Sequence, residues 1–111
     1  LFSNSDTLSE RLIEGGKQTG EQLWRLPLGE FYDKQLNSEI ADVRNTSTGR
    51  GGGRITAAQF LKRFVKDEVK WAHIDIAAIA LAKSSLPICP NGASGFGVRL
   101  LNQLIAANFE V

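Results

Sequence analysis

Apolar residues recur at helical spacing in four stretches of the chain. Leu8, Leu12 and Ile13 share one face behind Thr7-Leu8-Ser9-Glu10, a capping-box pattern in which hydroxyl and carboxylate each satisfy a free backbone N–H. Gly15 and Gly16 weaken this helix by about 1 kcal/mol each relative to alanine, and Gly20 is a natural stop, so a first helix is predicted to end near Thr19. Pro27 suits the first turn of a second helix, whose stripe of Leu28, Phe31, Tyr32, Gln35 and Leu36 has one polar member. A third helix is expected over residues 56–65, burying Ala57, Phe60, Leu61, Phe64 and Val65. A fourth starts near Ser94 and turns Val98, Leu101, Leu104 and Ile105 inward.

Two segments read as strands. Residues 40–44 are short and include β-branched side chains, and residues 71–76 alternate, with Ala72, Ile74 and Ile76 on one face and Trp71, His73 and Asp75 on the other. The glycine-rich residues 46–54 form a loop, because so many glycines carry a large ordering cost in any regular element. A second loop covers residues 84–92 with Pro87, Cys89 and Pro90. Helices interspersed with short strands predict an α/β class with about four helices and two or more strands. Two strands are marginal alone, so they are expected to belong to a larger sheet completed by residues outside these 111. The sequence contains no Met and opens Leu1-Phe2-Ser3, which agrees with that expectation.

Composition narrows the class. The 111 residues suffice for one modest core, so a single partial domain over residues 1–111 is expected, with no separate second domain. With 42% hydrophobic and 23% charged residues, disorder is disfavoured. A formal charge of +1 gives no basic excess for nucleic acid. The single Cys89 fits a reducing compartment, and no apolar run approaches the ~20 residues of a membrane span, so a soluble cytoplasmic protein with no membrane partner is expected.

No complete active site is legible. The glycine run lacks G-x-x-x-x-G-K-[ST], Arg54 stands where G-x-G-x-x-G needs its third glycine, and Gly92, Gly95 and Gly97 run in the reverse order. Arg50-Gly51-Gly52 is one copy of an RNA-tail unit that acts through repetition. His73 and Asp75 fall about 7 Å apart on one strand face. They are open to a catalytic pair or to a buried histidine with polar neighbours; the second is favoured, since no serine is marked as a nucleophile. Cys89 has no nearby base in sequence to activate it. One His and one Cys exclude the usual structural zinc sets, and Asp42 and Asp75 are the only acids on expected strands.

Five ordered blocks carry a further signal: residues 21–28 (EQLWRLPL), Ala41-Asp42-Val43 with Asn45, Gly53 with Thr56-Ala57-Ala58 and Phe60-Leu61, residues 71–77 (WAHIDIA) and residues 92–101 (GASGFGVRLL). In this order and spacing they resemble the leucyl aminopeptidase (cytosol aminopeptidase) family along nearly the whole chain. The resemblance implies the C-terminal portion of a larger mixed-sheet catalytic domain. It implies a parent metallo-aminopeptidase that removes N-terminal residues from peptides with two divalent ions, zinc or manganese, and assembles as a homo-hexamer. The family's Asn-Thr-Asp-Ala-Glu-Gly-Arg-Leu signature and catalytic Lys are absent here, so no residue is a catalytic group or metal ligand and the chain alone is expected to be inactive and metal-free.

What carries over is pocket lining: Ala77 and Ala80 for the substrate's first side chain, and Thr46 for the next subsite. For Ala77, a close-packed strand end is an equal alternative. Asn45-Thr46-Ser47 stands where many members read Asn-Ile-Gly, Ala78 replaces a frequent Gly, and Leu81 a frequent Trp. The alternative from another class is a truncated, non-catalytic structural or assembly module of the same descent; an RNA-binding domain ranks third.

Overall fold

Ser5, not Thr7, starts the first helix. Its Oγ accepts the Leu8 N–H at 3.3 Å and its carbonyl accepts the Ser9 N–H at 3.0 Å, so the cap of α1 (Asp6–Thr19) lies two residues before that of the expected box. The computed structural model describes residues 1–46, 51–85, 87 and 89–110. The other elements are β1 (Phe2–Ser3), α2 (Glu30–Asp33) running into a 3₁₀ turn (Lys34–Leu36), α3 (Gly53–Lys62), β2 (Ala72–His73), β3 (Leu81–Ala82), β4 (Gly92–Ala93) and α4 (Val98–Asn108). Contacts divide the chain into two compact units, one of Leu1–Ser9 and Arg25–Ile74, the other of Glu10–Trp24 and Asp75–Val111.

In the first unit β1 and β2 pair antiparallel, Phe2 opposite His73 and Ser3 opposite Ala72. Asn4 extends this short ladder with its side chain, donating from Nδ2 to the Val69 carbonyl (2.8 Å) and accepting the Trp71 N–H at Oδ1 (2.7 Å). Phe2 is fully buried and stacks on His73 at 6.0 Å, and His73 stacks on Trp71 at 6.3 Å. Leu1, Phe2, Leu36 and Ala58 are the buried apolar residues here.

Several expected elements shift. The second helix starts at Glu30 rather than Pro27 and buries only Leu36 of its stripe, while Phe31 is exposed. Residues 40–44 form no strand: Ile40 is 98% exposed, and the Arg44 N–H turns back to the Leu36 carbonyl (2.7 Å), so the segment closes a loop where a strand would need a partner. Helix α3 starts at Gly53 and buries Thr56, Ala58 and Gln59 in place of the apolar stripe. Of residues 71–76 only 72 and 73 lie in a strand. Residues 47–50 of the glycine loop lie outside the described residues.

In the second unit β3 and β4 pair antiparallel, Leu81 opposite Ala93 and Ala82 opposite Gly92. Helix α1 ends at Gly20, whose φ of +75° is the left-handed geometry of a C′ stop. Helix α4 starts at residue 98, not 94, and buries Leu100 and Leu104; Val98, Leu101 and Ile105 of the expected core face are exposed. No helix among the described residues is long and apolar enough to cross a membrane.

Candidate functional site

Ala77 and Ala80 stand on one tight turn. The Asp75 Oδ1 accepts the Ala77 N–H at 3.0 Å, and the Ile76 carbonyl accepts the N–H groups of Ile79 (2.9 Å) and Ala80 (2.8 Å). Ser94 ties the far side: its Oγ donates to the Ile79 carbonyl (2.5 Å) and its N–H to the Ala80 carbonyl (2.8 Å). The turn thus enters β3 directly, with Ala77 exposed and Ala80 half-buried. Both methyl groups are carried on fixed backbone, which suits a wall whose shape depends on small side chains. Asp75 accepts a backbone N–H within this turn, and His73 takes part in the ring stack of β2 with Phe2 and Trp71.

Thr46 belongs to the other unit. It is exposed and, with Leu36, Asn45, Gly53, Thr56 and Ala57, lines a recess of about 240 Å³. Ala77 and Ala80 thus share one turn of the second unit, and Thr46 lines a recess of the first.

Two carboxylates missed in the sequence organise these units. Glu21, just past the α1 stop, is buried; its Oε2 accepts the N–H groups of Gly97 (3.1 Å) and Leu100 (2.9 Å), and its Oε1 lies 3.3 Å from Arg99 Nε. A negative group thus occupies the start of α4, where free N–H groups and the helix dipole would otherwise attract an anion. The glycine run 92–97 consequently ends on an anion site filled by the chain itself. The partners are more than 75 residues apart, so no local pattern announces them.

Asp33 links α2 to α3. Arg63 reaches it with Nε to Oδ1 (3.0 Å) and Nη2 to Oδ2 (2.8 Å), a two-pronged pair, and Gln59 adds a bond to Oδ1 (3.1 Å). The Arg63 guanidinium holds the Asp33 carboxyl below the usual carboxylate range, with burial opposing and the Gln59 bond assisting. The same contact raises Arg63. Among the described residues no three His, Cys, Asp or Glu side chains gather into a group able to hold a metal ion. The described donors are therefore too scattered to hold a pair of divalent cations.

The order of the blocks in the chain has a spatial counterpart, because Glu21 from the first block caps the helix in which the last block ends. A family model described as the cytosol aminopeptidase family, catalytic domain, matches residues 1–102. The chain belongs to the cytosol aminopeptidase family.

Similar members of the cytosol aminopeptidase family include the probable cytosol aminopeptidases of Sinorhizobium fredii, 56% identical, and Allorhizobium ampelinum, 57% identical, each over 110 residues. Each alignment covers 99% of this chain and 22% of the relative, so the chain spans about a fifth of the length of the curated relatives it matches. The crystal structure of cytosol aminopeptidase from Coxiella burnetii superposes with a TM-score of 0.89 at 39% identity, over 98% of this chain and 23% of that one. A mutant of tomato leucine aminopeptidase superposes at 0.85 and 36% identity, over 96% of this chain and 20% of that one. The expected α/β arrangement of four helices with short strands is thus the fold that part of these larger cytosol aminopeptidase chains adopts.

Proposed function

We propose that these 111 residues are the C-terminal segment of the catalytic domain of an aminopeptidase that removes N-terminal residues from peptides. The observation that carries this reading is the catalytic-domain family match over residues 1–102. The parent uses two divalent ions, zinc or manganese, held by ligands outside this chain. The scatter of its own acids supports that division, since Glu21 is committed to helix α4 and Asp33 to Arg63. The name of the relatives supports a cytoplasmic location, and the parent assembles as a homo-hexamer with peptide N-termini as its partners and neither nucleic acid nor membrane.

In the parent, Ala77 and Ala80 line the pocket for the first side chain of the substrate, and Thr46 lines the next subsite. Two methyl groups on a braced turn leave room for an apolar side chain, a physical basis for accepting leucine. The test is hydrolysis of a leucine amide by the 111-residue polypeptide with added manganese or zinc. No turnover above a metal-only control is expected. Turnover above that control would overturn the division of labour, because the chain would then hold metal and water by itself.

A further inference from the structure

Asparagine ages by a reaction of its own chain, at a rate set by the residue that follows it. The backbone nitrogen of the next residue bonds to the side-chain amide carbon, the Cγ–Nδ2 bond breaks, and ammonia leaves with the proton of the attacking N–H. Water then opens the five-membered imide at one of its two carbonyls, giving aspartate from one opening and isoaspartate from the other. A β-carbon on the following residue crowds the attack, so glycine is the most permissive neighbour. Asn91 is the one asparagine of this chain that precedes a glycine.

Its surroundings favour the same reaction. Asn91 is exposed and lies outside the helices and strands, and among the described residues no hydrogen bond holds its side chain. Gly92 has a φ of +126°, and a Cβ built there would meet nothing within 4 Å. Gly92 faces Ala82 at the loop end of the β3–β4 pair, and the end of so short a ladder opens at little cost, which frees the nitrogen. The other asparagines are restrained. Asn4 is held at both ends of its amide, Asn37 accepts Arg63 Nη2 (2.8 Å), and Asn108 donates to the Leu104 carbonyl (2.9 Å). Asn102 sits within α4, and Asn45 precedes the β-branched Thr46.

We infer that Asn91-Gly92 is a site of spontaneous deamidation and isomerisation. The isoaspartate product routes the backbone through Cβ and adds one carbon just before β4, where Ala93 faces Leu81 and Ser94 clasps Ile79 and Ala80. Ageing at residue 91 therefore loosens the turn that carries Ala77 and Ala80.

The test ages the 111-residue chain in mildly alkaline buffer without denaturant and maps its peptides by mass spectrometry. A gain of about 1 Da at residue 91 is expected roughly tenfold faster than at Asn37, Asn45 or Asn102, with isoaspartate among the products. Asn91→Gln should abolish the fast gain. In the isoaspartate fraction the Ser94 N–H is expected to lose hydrogen-exchange protection while α1 keeps its own. Equal rates at the asparagines overturn the inference. So does a gain that appears only in denaturant, which would place the reaction in the unfolded chain. Aspartate without isoaspartate would mean hydrolysis without the imide and overturns it too. Unchanged protection at Ser94 in the isoaspartate fraction overturns the loosening of the turn.

Discussion

Gly15 and Gly16 are neighbours in α1 with the same intrinsic cost, yet their surroundings differ. A Cβ at Gly16 would stand 2.6 Å from the Glu21 carbonyl oxygen, a backbone atom that cannot move aside cheaply. A Cβ at Gly15 would meet the Leu100 carbonyl oxygen at 3.6 Å and the Leu104 backbone nitrogen at 4.0 Å, both ordinary contacts. Gly15→Ala is therefore expected to stabilise the chain by up to about 1 kcal/mol, the helix-propensity gain, while Gly16→Ala loses more than that gain to the clash and destabilises by about 1 kcal/mol or more. Urea unfolding of the two variants beside the parent chain checks the opposite signs; a stabilised Gly16→Ala would refute the close approach. Both glycines read from sequence as equal weaknesses, because helix propensity is a local quantity and the crowding comes from residue 21 folding back.

At the scale of elements, Glu21 fixes where α4 begins. Its carboxylate satisfies two N–H groups of the first turn that no residue of the helix itself can reach, and its Arg99 partner is half exposed. Glu21→Ala is expected to cost about 1–3 kcal/mol, the range for leaving buried donors unpaired, with lost hydrogen-exchange protection at Gly97 and Leu100. Arg99→Ala should cost less than about 1 kcal/mol, since water screens the exposed guanidinium. Equal costs for the two variants would show that the ion pair, not the cap, holds the helix. Element boundaries follow the same physics. The end of α1 was legible because Gly20 supplies its own backbone signal, whereas the start of α4 depends on a carboxylate more than 75 residues away. The face that α3 buries was misread for a related reason: Gln59 turns inward to bond Asp33, while Phe64, past the end of the helix, is exposed.

For the molecule as a whole, Asp33 ties protonation to folding. Its folded pKa lies below the unfolded value of about 3.9, so the folded state favours the charged form. That contribution is complete above the unfolded pKa and disappears as pH falls through the folded one. Asp33→Asn should therefore be less stable than the parent chain at pH 7, by roughly 0.5–1 kcal/mol because the pair is partly solvated, and the gap should narrow as the pH falls below the unfolded value of about 3.9. Denaturant titrations at a series of pH values from 7 down into acid measure it; a gap that does not narrow in acid would assign the loss to packing instead. Sequence periodicity alone determined the number of helices, the α/β class and the end of α1, because each rests on a residue's own backbone preference or on spacing along one helix. The ordered blocks carried the family. Only the tertiary structure decided which faces are covered, that residues 40–44 close a loop, and that Glu21 and Asp33 serve helices rather than chemistry. Those outcomes depend on which distant groups meet, and a chain whose relatives are about five times longer leaves several apolar faces uncovered that its pattern marks as core.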